Sequence, residues 1–246
     1  MSYKTKNQLD LFLDIEFENS LFEVKSKFGH SIWDVIRFDV WMKISRSNSN
    51  QTNKKYKTYN NIIRTVKSIK NIFFKNYKYF LLSHSRFLND KKEFYDPFYE
   101  LIQSNTDKET FVYEKMIDKK NLANKNSVLD FIYYLNKIFL KIPFFKKIFV
   151  TKSDTNKILN FLRSSFKTTE FNEDELVELL GLFYLEKIFY KWILKYKKIE
   201  KVFFHGYSKS LLSATSELEI KSYEFQHGDI SETTFLYKYK KETLKK

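Results

Sequence analysis

A chain of 246 residues with 43% hydrophobic and 19% aromatic residues has enough core material for one large α/β domain and is no disordered polymer. It contains no cysteine, which excludes disulfides, thiolate chemistry and cysteine-built zinc sites, and no apolar run of about 18 residues that would cross a membrane. The formal charge of +14 points either to an anionic partner or to the lysine- and asparagine-rich composition of an AT-rich coding sequence.

Leu9, Leu11, Leu13, Ile15 and Phe17 alternate with Asp10, Asp14 and Glu16, which predicts a half-buried strand. Residues 22–25 predict its pairing partner before a turn at Gly29, completing an N-terminal β-hairpin. Ile32, Ile36, Val40 and Ile44 then recur at four-residue spacing behind Ser31, predicting an N-capped helix with Trp33 and Trp41 flanking its apolar stripe. Residues 45–58 are polar and predict a mobile surface loop. A helical pattern resumes over 59–74, an apolar strand runs up to His84, and 111–116 form a weaker strand candidate.

Residues 128–150 are aromatic and basic. They read either as an amphipathic element lying on an anionic bilayer or as a core helix and its connector broken near Pro143. Asp130 and Asn136 dilute the amphipathic pattern and favour the core helix. Ile158, Leu159, Leu162 and Phe166 predict another helix, capped by Asp154 or Thr155. The longest helix is expected from about Asn172, with Glu175 three residues on, and with Leu176, Leu180, Tyr184, Ile188, Trp192 and Tyr196 along one apolar face. Strand (201–204), helix (208–219) and strand (222–226) then form a βαβ unit whose right-handed crossover makes the two strands parallel.

Three of the four histidines (His84, His205, His227) and two of the four glycines (Gly206, Gly228) fall where an apolar β-run stops. Open parallel sheets bind ligands beyond the carboxyl ends of their strands. These ends therefore predict one crevice lined by imidazoles, by the hydroxyls of Ser83, Ser85, Tyr207 and Ser208, by Gln226 and by Arg86. Such a lining suits a sugar or phosphosugar, with hydroxyl groups matched to paired donors and acceptors and phosphate to Arg86 or to the helix start at Ser208. For any one histidine, the competing explanation is a structural residue capping a strand end. The scattered histidines predict no metal site, and no glycine-rich dinucleotide or phosphate loop and no Gly-x-Ser-x-Gly elbow occurs, so no cofactor is expected.

Several short motifs resemble bacterial capsule and O-antigen glycosyltransferase-like proteins. Gly29-His30-Ser31-Ile32-Trp33 with Ile36-Arg37 is similar to the opening of that family, and His84-Ser85-Arg86 followed by Tyr95-Asp96-Pro97 to a second segment. Glu224-Phe225-Gln226-His227-Gly228-Asp229-Ile230-Ser231 resembles its Gln-His-Gly signature, while Thr234-Phe235-Leu236-Tyr237 keeps only the tyrosine of the His-Pro-Gly-Tyr stretch that commonly follows. The resemblance implies a GT-B arrangement of two facing Rossmann-like domains, the first holding the acceptor and the second the nucleotide sugar.

On that basis residues 1–246 are expected to be a single Rossmann-like acceptor-type domain, with the donor domain missing or on a separate polypeptide and with no transfer by this chain alone. Glycosyl transfer to a hydroxyl needs a general base beside the acceptor. The resemblance makes His227 the first candidate for that base, with Asp229 and His84 next. Arg86 becomes a phosphate or carboxylate clamp, and Ser85, His205, Tyr207, Ser208, Gln226 and Gly228 become substrate contacts. The expected partners are a saccharide or lipid-linked saccharide acceptor, a nucleotide sugar through the other domain, and an anionic membrane touched peripherally from the cytoplasmic side. A non-catalytic saccharide-binding or scaffold subunit is the first alternative, and a basic nucleic-acid-binding protein, resting on charge alone, is the second. Nucleic acid is not an expected partner, because the aromatic residues sit at core periodicity and no recognisable module is present.

Overall fold

A computed structural model of the chain describes residues 3–45, 70, 72–83, 87–88, 94–106, 109–114, 129–139, 141–142, 148, 152–166, 172–205 and 208–225. In chain order the elements are α1 (Tyr3–Glu18), a 3-10 turn (Leu21–Glu23), α2 (Ile32–Ser45), β1 (Tyr79–Ser83), β2 (Phe87–Leu88), β3 (Phe94–Tyr95), α3 (Pro97–Asn105), β4 (Thr110–Glu114), α4 (Leu129–Phe139), α5 (Lys152–Phe166), α6 (Glu173–Tyr196), β5 (Lys201–His205), α7 (Lys209–Glu217) and β6 (Lys221–Phe225). They fall into two compact units. One holds the described residues of 1–51 and 137–181, the other those of 52–136 and 182–227. The expected loop over 45–58 and most of the pattern over 59–74 lie outside the described residues, apart from Ser45 at the end of α2 and helical positions at 70 and 72–74.

The first unit is helical, and it corrects the expected N-terminal hairpin. Leu9, Phe12, Leu13 and Glu16 are buried while Leu11 is exposed, so the inward positions follow the three- and four-residue spacing of a helix. Residues 21–23 close a 3-10 turn, and the only pairing in this region is an isolated antiparallel bridge between Lys25 and Ser31. Gly29 turns between them at φ 82°, a left-handed conformation that glycine adopts without steric cost. α2 begins where expected, with Ser31 Oγ accepting from the Asp34 amide at 3.2 Å.

Trp33 and Trp41 do not merely flank the α2 stripe, since both are buried. Trp33 stacks on Phe12 with ring centroids 5.9 Å apart and meets the edge of Phe161, and Trp41 meets Phe12 at 5.3 Å. Beside them a buried ion pair joins the α1 carboxylate of Glu16 to the α2 guanidinium of Arg37. Arg37 Nη2 donates to Glu16 Oε2 at 3.0 Å, its Nε to Oε1, and Trp33 Nε1 to Oε1 at 3.3 Å. α5 starts at Lys152, so Asp154 and Thr155 lie inside its first turn and are not its caps.

The second unit is built on a four-stranded, all-parallel sheet in the order β4-β1-β5-β6. Tyr79 pairs with Thr110 on one side and Lys201 on the other, and Lys201 pairs with Lys221. On one face Phe80, Leu82, Phe111, Tyr113, Val202 and Phe204 pack with Tyr190, Ile193 and Leu194 of α6 and Leu211 and Ala214 of α7. On the other, Leu81 and Val112 pack with Ile102 of α3, edged by Tyr99, Phe203 and Phe225. Cover on both faces explains why these strands read as apolar runs without clean alternation. The βαβ unit forms as expected, with β5 and β6 parallel and α7 between them. Among the described residues, no helix is long and apolar enough to cross a membrane.

Within 128–150, α4 covers Leu129–Phe139 and buries Ile132 and Asn136, in keeping with the core-helix reading. α6 starts next to Asn172, whose Oδ1 accepts from the Glu175 amide at 2.9 Å. Asn172→Ala is expected to cost about 1 kcal/mol, as loss of a side-chain N-cap does, and urea denaturation measures it. The proposed apolar face of α6 is only half right. Leu176, Leu180 and Tyr184 are buried, whereas Ile188, Trp192 and Tyr196 are exposed. A strict four-residue repeat advances about 40° beyond each full turn, so the line of residues drifts out of the core.

Candidate functional site

The sheet order fixes where a ligand crevice would open. β1 leads to β4 on one side of it, whereas its neighbour β5 leads to β6 on the other. Two adjacent parallel strands whose connections leave in opposite directions create the gap at which open α/β sheets bind ligands. Ser83 ends β1 and His205 ends β5, so both stand at this point.

Asp96 ties the two ends together. It precedes Pro97 at the start of α3 and caps that helix, with its Oδ1 accepting from the Phe98 amide at 3.0 Å. Its Oδ2 accepts from Ser83 Oγ at 2.8 Å and lies 3.0 Å from His205 Nε2. The imidazole contact is close, although the ring N–H is not aimed straight along it. Burial raises the affinity of the Asp96 carboxyl for its proton. The nearby His205 imidazole, together with the Ser83 hydroxyl and the Phe98 amide, outweighs that and holds it below the usual carboxylate value. Phe98 and Phe225 place their rings 4.7 and 5.7 Å from that of His205, whose side chain is 2% exposed.

The order of these groups limits their chemistry. In a Ser-His-Asp relay the imidazole lies between hydroxyl and carboxylate and takes the hydroxyl proton. Here the carboxylate lies between hydroxyl and imidazole, so Ser83 is not activated as a nucleophile through His205. What the arrangement does is fix the orientation of an imidazole and lock α3 to the ends of β1 and β5.

A second polar cluster lies under the opposite face of the same sheet edge. Ser210 Oγ donates to Glu186 Oε2 at 2.6 Å, and Ser208 and Ser210 hydroxyls are 3.5 Å apart. The buried Tyr190 phenol has its pKa raised well above the usual value by burial and then by the Glu186 charge, so it remains neutral. Ser208 occupies the N-cap position of α7, yet its side chain makes no capping bond. Its hydroxyl belongs to this buried network, not to the free amides of the helix start.

Ser83, His205 and Ser208 are the predicted site residues that lie within the described structure, and all three are buried at the expected edge. His84, Ser85, Arg86, Tyr207, Gln226, His227, Gly228 and Asp229 lie outside the described residues, next in the chain to Ser83, His205 and Phe225 or shortly beyond them. The role of Asp96 as the hub was missed, although an aspartate directly before a proline is a signature of a helix start. Glu186 and Tyr190 were missed as well, and nothing in their local sequence marks them. Among the described residues, no group of three metal-ligating side chains forms.

No protein-family model, curated protein or solved structure matches this chain. The family resemblance therefore stands on the quoted motifs alone. The fold stands on its topology: α/β, with a parallel, helix-flanked sheet of Rossmann-like type.

Proposed function

We propose that this chain binds a saccharide acceptor at the carboxyl edge of its parallel sheet and serves bacterial surface-polysaccharide assembly as the acceptor-binding half of a glycosyltransferase-like protein of GT-B type. The observation that carries this reading is the convergence of Ser83, Asp96 and His205 at the strand ends where the connections diverge. A polar, hydrogen-bonding edge with a neutral phenol and serines beneath it suits a ligand rich in hydroxyl groups. The motif residues His84, Ser85, Arg86, Tyr207, Gln226, His227, Gly228 and Asp229 follow these strand ends in the chain, and in this reading they supply the direct contacts. His205 and Asp96 are then positioning residues.

The burial of His205 and the central place of Asp96 favour a second reading, saccharide binding without chemistry. One titration addresses both. The full-length chain, isotopically labelled, is mixed with capsule-type oligosaccharides and with nucleotide sugars, and amide shifts are followed. The expected result is saturable perturbation of residues 81–83 and 203–208, with a weakened response in Arg86→Ala and His227→Ala. Shifts confined to other regions, or none at any ligand concentration, rule out the carbohydrate reading. Release of nucleotide during the titration assigns the transferase role, and binding without release assigns the binding-only role.

A further inference from the structure

The drift that carries the end of α6 out of the core leaves a continuous aromatic surface on the second unit. Ile188, Trp192 and Tyr196 lie at successive four-residue steps, and all three are exposed. The Trp192 and Tyr196 rings stack with planes 8° apart and centroids 5.6 Å apart. Phe73, from the helical turn at 72–74, packs against both rings at 5.9 and 5.8 Å. Its neighbour Phe74 is 82% exposed, the most exposed of the large apolar side chains among the described residues. The Lys197 ammonium holds the two segments together, donating to the Lys75 carbonyl at 2.7 Å while lying 4.8 Å above the Tyr196 ring.

The charge along the two segments themselves is basic. Residues 187–198 include five lysines and no acid, and residues 70–78 include three lysines and no acid. Lys187 and Lys191 share the single carboxylate of Glu217, and Lys78 pairs with Glu109. Lys70, Lys75, Lys195 and Lys198 are exposed and form no side-chain ion pair among the described residues.

We propose that this surface docks on an anionic phospholipid bilayer, with Phe74 and Ile188 entering the acyl boundary, Trp192 and Tyr196 at headgroup level, and the free lysines on the phosphates. Phenylalanine and isoleucine side chains gain from hydrocarbon, whereas tryptophan and tyrosine favour the interface, where an apolar body meets water at one polar tip. Lysines beside such a patch add electrostatic attraction to acidic lipid. A nucleic acid fits less well, because Ile188 has no ring face for a base and arginine is absent from both segments. The docking surface is independent of the saccharide reading, and each stands if the other fails.

The tryptophans provide the readout. Trp33 and Trp41 are buried and Trp192 is exposed, so a change in emission on docking reports Trp192. The full-length chain is sedimented with vesicles of phosphatidylcholine alone and of phosphatidylcholine mixed with phosphatidylserine. Expected are partition and a blue-shifted emission with the acidic vesicles, both weakened by added salt. Lys195→Ala with Lys198→Ala, which alters no buried side chain, is expected to lower partition on the order of tenfold to thirtyfold, each lysine contributing about fivefold. Phe74→Ser is expected to lower it while leaving the circular dichroism spectrum unchanged.

Absence of partition, equal partition into both vesicle types, or partition insensitive to both variants overturns the proposal. Preferential retention of an oligonucleotide by the same lysines also overturns it. So does a blue shift that appears with rising protein concentration in the absence of lipid, which would mark the face as a contact between copies of this chain.

Discussion

Glu16→Ala is expected to destabilise the chain by about 3–5 kcal/mol, the usual consequence of removing one partner from a buried ion pair. The carboxylate takes two hydrogen bonds from Arg37 and one from Trp33, and both charged side chains are almost wholly out of solvent. Without it the buried guanidinium, 5.9 Å from the Phe22 ring, loses this carboxylate, and the indole N–H loses its acceptor. The pair as a whole contributes much less than its rupture costs, because desolvating two ions offsets most of their attraction. Arg37→Met alone should therefore be nearly as damaging as Glu16→Ala, while Glu16→Leu combined with Arg37→Met should recover most of the loss. Urea unfolding of the two single variants and the double variant checks this. A single variant within about 1 kcal/mol of the parent would show that the pair is hydrated and behaves as a surface bridge.

The same carboxylate explains why the N-terminus is hard to read. Glu16 counts as a polar residue in an alternating pattern, so Leu9 to Phe17 fits a strand. In the fold it is an inward-facing helical position, admitted to the core because Arg37 comes to meet it from 21 residues away. Local pattern cannot show a partner that distant. The parallel strands were legible because they are covered on both faces and announce themselves as apolar runs ending in polar residues. Both cap signals at Ser31 and Asn172 were legible too, since a cap bond spans three residues. The hub of the candidate site was not, because Asp96 collects Ser83 from 13 residues before it and His205 from a strand far beyond it. Sequence could place polar groups at strand ends, but it could not say that one carboxylate draws two of those ends together.

That carboxylate supports the second large effect. Asp96→Ala removes the cap of α3, worth about 1 kcal/mol, and leaves the buried Ser83 hydroxyl and His205 imidazole without their common partner, at about 1–3 kcal/mol. The expected loss is roughly 2–4 kcal/mol. Asp96→Asn keeps an oxygen for the Phe98 amide and a polar group near Ser83, so it should cost less at neutral pH. The two forms separate on acidification. The folded carboxyl of Asp96 lies below its ordinary value, mainly because His205 and Ser83 overcome the effect of burial. The unfolded chain takes up that proton first. The stabilisation is therefore fully present above the unfolded value of about 3.9 and disappears as the pH falls through the folded one. Below about pH 4 the parent should lose stability more steeply than Asp96→Asn, and the gap between them should close. Unfolding free energies of both proteins across that range, with all other carboxyls common to the two, isolate the contribution of Asp96. Parallel curves would mean that the carboxylate does not bear on the imidazole, and His205 would then stand at the strand end without the group proposed to orient it.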